Sequence, residues 1–181
     1  MSKKYVLSDF HLGHKNILKY SGQYRGGTTS EEHDQWLIDQ INSVVKKADL
    51  LYILGDIAFD AESLKLVGKI KCQKILIRGN HDILPTQEYL KYFSQVHGLL
   101  SFKSTFWMSH APIHPAELRG RLNIHGHVHQ NSIQDDRYIN ACVEMTYGVP
   151  QSLDDLFEKH KDQVYQTRKQ QREEQNAAAK T

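Results

Sequence analysis

The sequence predicts an α/β fold whose first half builds a parallel sheet and whose second half adds strands of mixed direction. Three continuous apolar runs, at 4–8, 50–54 and 74–77, are separated by segments with helical spacing. Strands that alternate with helices pair in parallel through right-handed crossovers. Beyond residue 95 the apolar runs are shorter and lack a helix between them, which favours antiparallel pairing.

The elements of the first half can be placed in order. The strand at 4–8 leads to a short helical segment near Ile17. Thr29-Ser30-Glu31-Glu32 has the form of a capping box, and apolar residues at 37, 41, 44, 45 and 48 keep helical spacing, so an amphipathic helix is predicted. After the strand at 50–54, a shorter helix around Leu64 and Val67 precedes the third strand.

The second half supplies shorter elements. Residues 86–93 have a helical pattern, and 96–102 and 104–108 are predicted to form an antiparallel pair. Further strands are predicted at 122–124 and 138–143, and a last helix begins after Ser152, with early acidic residues that suit the helix dipole. Residues 1–165 are expected to form one domain. Residues 166–181 are polar and have no apolar face, which predicts a frayed helix or a disordered tail.

Composition limits the classes of protein that remain. A chain of 181 residues can bury a hydrophobic core without disulfides or a structural metal. Its net charge of +2 by itself implies neither a nucleic acid nor a membrane as partner. The two cysteines, Cys72 and Cys142, fit a reduced protein better than a disulfide framework. Because the apolar run after Lys3-Lys4 is too short for a signal peptide, a cytoplasmic location is expected.

Side chains that bind metals follow five of the predicted strands. They are Asp9, Asp56, Asn80, His110 and His127. Ligand chemistry in such sheets gathers at the carboxyl ends of the strands, so these side chains are expected at one edge. His11 lies two residues after Asp9, and if strand geometry persists both project from the same face. His129 lies two residues after His127.

The donor set indicates which ions could bind. Carboxylates, imidazoles and one amide oxygen, without a thiolate, suit manganese, iron, nickel or zinc better than a structural zinc site, and we favour manganese. Seven ligands are too many for one tetrahedral ion and suit two ions that share a carboxylate. Such ions lie about 3.5–4 Å apart, clamp a phosphoryl group and turn a bridging water into hydroxide. The sequence therefore predicts a dinuclear phosphoesterase centre.

The same positions carry a resemblance to a known family. The segments Asp9-x-His11, Gly55-Asp56, Gly79-Asn80-His81-Asp82, His110 and Gly126-His127-x-His129 resemble, in this order, the five motifs of the calcineurin-like metallophosphoesterases. The residues around the first motif, and Ser152-Leu153-Asp154-Asp155, are similar to the small bacterial and phage members. The resemblance implies two packed mixed β-sheets flanked by helices, in an αββα sandwich.

The resemblance also implies a role for each motif residue. One ion would be held by Asp9, His11 and His129, and the other by Asn80, His110 and His127. Asp56 would bridge the two ions, and His81 would be a catalytic imidazole that faces the leaving group. A histidine near its ordinary pKa can give a proton to a departing alkoxide, so the chemistry asks for this role as well.

Three departures from the family pattern leave every ligand in place. Ser109 precedes His110 where many members have glycine, and Asp82 ends the third motif where glutamate is frequent. Phe59 stands where many members have a second aspartate, and Asp60 is displaced by one residue. The chain has no evident cap domain, so an open site is expected.

Simpler interpretations exist for single residues. Asp56 alone is more simply a turn carboxylate, and His127 and His129 alone could be two strand histidines; the order of all the motifs favours the metal site. Arg119 and Arg121 lie in a loop expected to overhang the metal edge. They could bind a phosphate of the substrate bidentately, or be surface arginines. Arg25 and His14 are weaker candidates for contact with the substrate. His125 is a candidate for supporting the metal ligands.

The function predicted from these residues is hydrolysis of a small phosphoester. An open site favours a phosphodiesterase, acting on cyclic or linear nucleotides, over a monoesterase or protein phosphatase. The competing class is a non-catalytic binding module on the same fold, such as the retromer subunit that has lost part of the site. Retention of His81 with every ligand favours the enzyme. Near-neutral charge gives a nucleic-acid-binding protein little support.

Overall fold

The first β-sheet carries the early strands in parallel. The computed structural model describes residues 2–178. The sheet has the order β4-β3-β2-β1-β9, and its last strand pairs antiparallel with β1. The strands are β1 (Lys4–Leu7), β2 (Leu50–Ile53), β3 (Gln73–Ile77), β4 (Gln95–His97) and β9 (Gln151–Ser152). The predicted parallel pairing of the first half is confirmed.

The second sheet mixes strand directions. Its order is β5-β6-β7-β8, antiparallel between β5 and β6 and parallel in the other two pairs. The strands are β5 (Leu99–Phe102), β6 (Phe106–Ser109), β7 (Leu122–His125) and β8 (Tyr138–Asn140). The predicted α/β class with two mixed sheets is therefore confirmed.

The run predicted as one strand at 96–102 is two strands in different sheets. The chain leaves β4 at His97 and enters β5 at Leu99, so that Gly98 alone connects the first sheet to the second. Sequence could not separate them, because both pieces are short and only Gly98 lies between them. The strand predicted at 138–143 also ends early, at Asn140.

The helices lie on the outer face of the first sheet and at its edge. They are α1 (Ile17–Ser21), α2 (Ser30–Val44), α3 (Ala61–Leu64), α4 (Thr86–Tyr89), α5 (Val143–Thr146) and α6 (Leu153–Ala178). Thr29 caps α2 by accepting from the Glu32 amide at 3.2 Å. The Glu32 carboxylate reaches back to Thr28 rather than Thr29, so the capping box closes one residue earlier than predicted.

The predicted polar tail continues the last helix. Ser152 accepts a hydrogen bond from the Asp155 amide at 3.3 Å, which confirms the predicted cap. The helix α6 then runs through 166–178, and residues 179–181 of the predicted tail lie outside the described part of the chain. Within 2–178, no helix has the length and apolar character needed to cross a membrane.

Two hydrophobic cores bury both faces of the first sheet. Leu7, Leu51 and Ile53 pack with α2 on one face. Val6 and Tyr52 point to the other face, where they meet Met108, Ile124 and other side chains of the second sheet. Burial on both faces explains the continuous apolar runs in the sequence. It also makes the sheets a rigid platform for the loops at their carboxyl edge.

Candidate metal centre

The predicted ligands meet at the carboxyl edge of the two sheets in two groups. The first cluster contains Asp9, His11 and His129, and the second contains Asp56, His110 and His127; within each, one ligand atom per residue lies within 4.8 Å of the others. Asn80 belongs to the second cluster, because its Oδ1 lies 2.8 Å from His110 Nε2 and 3.0 Å from His127 Nδ1. The resemblance divides the ligands into the same groups.

Asp56 lies between the two clusters. Its Oδ2 is 3.4 Å from His110 Nε2 in the second cluster and 3.9 Å from His11 Nε2 in the first. The other oxygen, Oδ1, accepts a hydrogen bond from the His81 amide at 2.9 Å. One oxygen is thus fixed by the backbone, and the other faces both groups of ligands.

The two carboxylate oxygens of Asp9 also make different contacts. Its Oδ2 accepts from the His127 amide at 2.9 Å and from the Cys142 thiol at 3.2 Å. Its Oδ1 lies 3.8 Å from His11 Nε2 and 3.9 Å from His129 Nε2. Burial acts to raise the pKa of Asp9, but hydrogen bonds and the nearby His110 outweigh it and lower the pKa. The carboxylate is therefore ionised and aimed at the first cluster.

The backbone at these ligands is left-handed, which corrects the strand geometry expected for Asp9 and His11. Strand β1 ends at Leu7, and φ is 61° at Asp9 and 53° at His11. Asp56, His127 and His129 also have positive φ, at 53°, 73° and 52°. Such conformations cost about 1–3 kcal/mol each in non-glycine residues and concentrate at functional sites.

Two glycines allow the loops to approach one another. A Cβ on Gly126 would collide with Ser8 Oγ and Asp9 Oδ2. At Gly55, φ is +90°, and a Cβ would lie 2.5 Å from the Gly79 nitrogen and 2.8 Å from His110 Nδ1. Glycine is required at both positions because the ligand loops pack backbone against side chain.

Hydrogen bonds orient two of the imidazoles. His110 Nδ1 donates to the Leu54 carbonyl at 2.7 Å, which leaves Nε2 facing the second cluster. His129 Nδ1 lies 2.9 Å from Glu144 Oε1, and this carboxylate leaves His129 Nε2 facing the first cluster. Partners of this kind fix the tautomer and ring orientation of metal-binding histidines.

A buried network supports the first cluster from behind. Arg25 donates to Glu144 Oε1 through Nε at 2.9 Å and Nη2 at 2.6 Å. The same guanidinium donates to the carbonyls of Asp9 at 2.7 Å and Phe10 at 3.1 Å. His33 Nε2 lies 3.1 Å from Arg25 Nη1. Because His33 belongs to α2, the network reaches this helix. Arg25, a weak substrate candidate in the sequence, therefore holds the Asp9 loop in place.

Sequence reasoning missed Glu144, although a signal for it existed. It directly follows the apolar run 138–143 that predicts a strand, as Asp9 and Asp56 follow theirs. Its side chain is buried, yet hydrogen bonds from His129 and the charge of Arg25 outweigh burial and lower its pKa.

Asp82 ties the second and third motif loops together. Its carboxylate accepts from the amides of Gly79 at 2.8 Å, Asp56 at 2.9 Å and Ile57 at 3.0 Å. Burial raises its pKa. The last residue of the third motif thus supports the loops rather than pointing at the clusters.

The residues present fit divalent metal ions. Asp9 Oδ1 and His11 Nε2 are buried and make no hydrogen bond in the described chain, which is costly unless another partner binds them. Both atoms face the first cluster. A donor set of carboxylate, imidazole and amide oxygen is also the set that manganese, iron or zinc accepts.

His81 lies beside the clusters. Its side chain is 47 % exposed, and Nε2 is 4.0 Å from Asp56 Oδ2. His14 borders the same region, with its ring centroid 5.8 Å from that of His11. His125 is instead the buried last residue of β7, and its Nδ1 donates to the Gly126 carbonyl at 2.9 Å.

The two predicted substrate arginines make other contacts. Arg119 pairs with Glu117 at 3.0 Å on the surface. The Arg121 guanidinium stacks over Trp107, 4.2 Å from the ring centroid. Arg121 directly precedes β7, whereas His127 follows the opposite end of that strand. The substrate role of both arginines stays a prediction, and one that their placement disfavours.

Comparison with known proteins places the chain in a family. The protein MJ1445 of Methanocaldococcus jannaschii, itself uncharacterized, is 31 % identical over an aligned length of 180; the match covers 89 % of this chain and 94 % of MJ1445. The chain therefore belongs to the same family as MJ1445. The Gene 66 protein of Mycobacterium phage L5 is 36 % identical over an aligned length of 87; the match covers 45 % of this chain and 41 % of the phage protein.

A solved structure shares the fold. The protein of unknown function AQ665 from Aquifex aeolicus matches with a TM-score of 0.69 and 25 % identity, covering 87 % of this chain and 99 % of AQ665. No model of a protein family matches the sequence. The relatives thus define the family and fold, and the chemistry has to be argued from the site.

Proposed function

We propose that this protein is a metal-dependent phosphoesterase of the calcineurin-like type, with two divalent ions, manganese favoured. The position of Asp56 carries the proposal. One carboxylate oxygen faces an imidazole of each cluster, at 3.4 Å and 3.9 Å, as a ligand shared by two ions requires. The first ion would be held by Asp9, His11 and His129, and the second by Asn80, His110 and His127.

The two ions and the side chain of His81 would have different roles in the reaction. When bound, the two ions would clamp the phosphoryl group and activate the attacking water. In the reaction, the oxygen of a water joins phosphorus and the P–O bond to the leaving group breaks. His81, exposed beside Asp56, would give its proton to the departing oxygen. The hydrogen bond from its backbone amide to Asp56 holds His81 beside the two clusters.

The charge around the site favours a diester over a monoester. The described residues that line the adjacent cavity include four histidines but neither lysine nor arginine. A phosphomonoester dianion needs more cationic neutralisation than a diester with one negative charge, and beyond the two ions this wall would offer only imidazoles. The lining of this cavity therefore suits the substrate of a phosphodiesterase better than that of a monoesterase or protein phosphatase.

Hydrolysis of bis-p-nitrophenyl phosphate and p-nitrophenyl phosphate, with manganese, tests the proposal. We expect metal-dependent turnover that is faster for the diester. Asp56→Asn should reduce it at least about 100-fold, because electrostatic stabilisation by the ions depends on this ligand. Asp136→Asn makes the same change on an exposed loop and should leave the rate unchanged.

Two results would contradict the proposal. One is the absence of turnover in protein shown to hold two manganese ions, which would favour a binding module. The other is equal turnover in Asp56→Asn and Asp136→Asn, which would place the activity elsewhere.

A further inference from the structure

A cavity of about 390 Å³ opens beside the first cluster. His11 and His129 of that cluster form part of its wall, together with His81. Its volume lies within the range of small-molecule pockets, about 300–1,000 Å³. The cavity is therefore large enough to hold part of a substrate beyond the phosphoryl group.

One wall of the cavity is aromatic. The Phe59 ring centroid lies 4.6 Å from that of His14 and 4.9 Å from that of His81. Phe59 and His14 are only partly buried, and Tyr20, 65 % exposed, lines the same cavity. Partly exposed rings of this kind offer faces on which a planar group can stack.

The rest of the wall indicates what kind of planar group would bind. Gln130 and Asn131 line the cavity, and their side-chain amides carry donors and acceptors, although Asn131 Nδ2 already donates to the Val128 carbonyl at 3.0 Å. Among the described lining residues there is no carboxylate, lysine or arginine. The wall thus suits a neutral planar group with a hydrogen-bonding edge. A nucleobase has both properties, whereas a simple aryl group has no such edge.

We propose that this cavity binds the nucleobase of a nucleoside phosphoester while the phosphoryl group lies at the two clusters. The proposal rests on the proposed function, because it needs the phosphate at the metal ligands. Phe59 stands where many calcineurin-like proteins have an aspartate, so this chain has an aromatic face in place of a charge. Base stacking on that face would select nucleosides among phosphoesters.

Calorimetric titration of the manganese-loaded protein tests the proposal without turnover. The probes are adenosine 5′-monophosphate, ribose 5-phosphate, phenyl phosphate and inorganic phosphate. We expect the adenine nucleotide to bind about 10-fold or more tightly than ribose 5-phosphate or phenyl phosphate, the scale of one stacked base. Inorganic phosphate reports the metal centre alone.

Variants locate the effect. Phe59→Ala and Tyr20→Ala should each reduce the advantage of the nucleotide several-fold. Tyr20→Ala should also leave the affinity for inorganic phosphate unchanged. Because Phe59 stacks on His11, with 5.6 Å between ring centroids, its variant is judged by the ratio of nucleotide affinity to phosphate affinity. Tyr165→Ala is the matched control, since Tyr165 is also 65 % exposed but lies on α6. Because Tyr20 is a surface side chain, its variant tests the cavity even if Phe59→Ala does not fold.

The outcomes separate this inference from the proposed function. Equal affinity for the nucleotide and ribose 5-phosphate would overturn the nucleobase site, even if phosphoester hydrolysis is intact. Equal affinity for the nucleotide and phenyl phosphate would overturn the choice of a nucleobase over an aryl group. Failure to bind inorganic phosphate and to hydrolyse bis-p-nitrophenyl phosphate would instead overturn the proposed function, and the inference with it.

Discussion

The two ligand clusters are built differently, although they face each other across Asp56. The first cluster is buried at Asp9 and His11, and a network of Arg25 and Glu144 supports it. In the second cluster Asp56 and His110 are also buried, but Asn80 and His127 are exposed and lie against each other. The first cluster thus has a buried supporting network, whereas the second has two ligands exposed to solvent. We expect the ion of the second cluster to exchange more readily.

The largest expected effect comes from Glu144→Gln, which removes the charge behind the first cluster. Arg25 would keep a buried charge without its partner, and breaking a buried pair costs about 3–5 kcal/mol. Loss of the carboxylate behind His129 should also weaken metal binding about 10–100-fold. Chemical denaturation measures the free energy of unfolding, and titration with manganese measures the affinity.

Glu117→Gln is the matched control for that variant. It breaks the exposed pair with Arg119, which is worth about 0–1 kcal/mol. If Glu144→Gln and Glu117→Gln had equal effects, the network would not support the first cluster as described.

A smaller effect is expected from Gly126→Ala. Gly126 directly precedes His127 of the second cluster and lies against Asp9 of the first cluster. The added Cβ would collide with Ser8 Oγ and Asp9 Oδ2, and such overpacking costs about 1–3 kcal/mol. It should also displace the Asp9 carboxylate and lower the affinity of the first cluster for manganese. Gly98→Ala adds the same atom where nothing lies within 4 Å, so its free energy of unfolding and metal affinity should stay near wild type.

The smallest expected effect is a change in the pH dependence of stability when metal binds. Without metal, the Glu144 hydrogen bond raises the pKa of His129. Burial lowers the pKa of His110, but the bond to Asp56 and nearby carboxylates outweigh it and raise it. The folded state therefore binds these protons more tightly than the unfolded state. Their contribution is complete below the unfolded pKa of about 6.5 and is lost as pH rises through the raised folded pKa.

With metal the contribution of His110 and His129 should reverse, because only deprotonated imidazoles bind the ions. Burial lowers the pKa of His14, His33 and His125, so these side chains oppose that contribution in the chelated protein. The expected result is therefore a stability that rises more steeply from pH 6 to pH 8 with manganese than with chelator, measured by denaturation at both pH values. Equal slopes, or a steeper rise with chelator, would contradict the account of His110 and His129.

Sequence predicted the ligand edge because each motif follows an apolar run. The runs before Asp9 and Asp56 are buried on both faces, so their ends are visible in the sequence. The left-handed backbone at Asp9 and His11 was not predictable, since packing between loops imposes it. Arg25 and Glu144 were missed as a pair because 119 residues separate them. The path of the loop at Arg121 depends on stacking on Trp107, which sequence does not show.

The central claim is that Asp56 joins two metal sites of unequal exposure, and metal stoichiometry tests it most directly. Equilibrium dialysis against manganese, followed by elemental analysis, should give two ions per chain for wild type and for His160→Ala on α6. His127→Ala removes an exposed ligand of the second cluster and should retain one ion. One ion or none in wild type, or two ions in His127→Ala, would contradict the account.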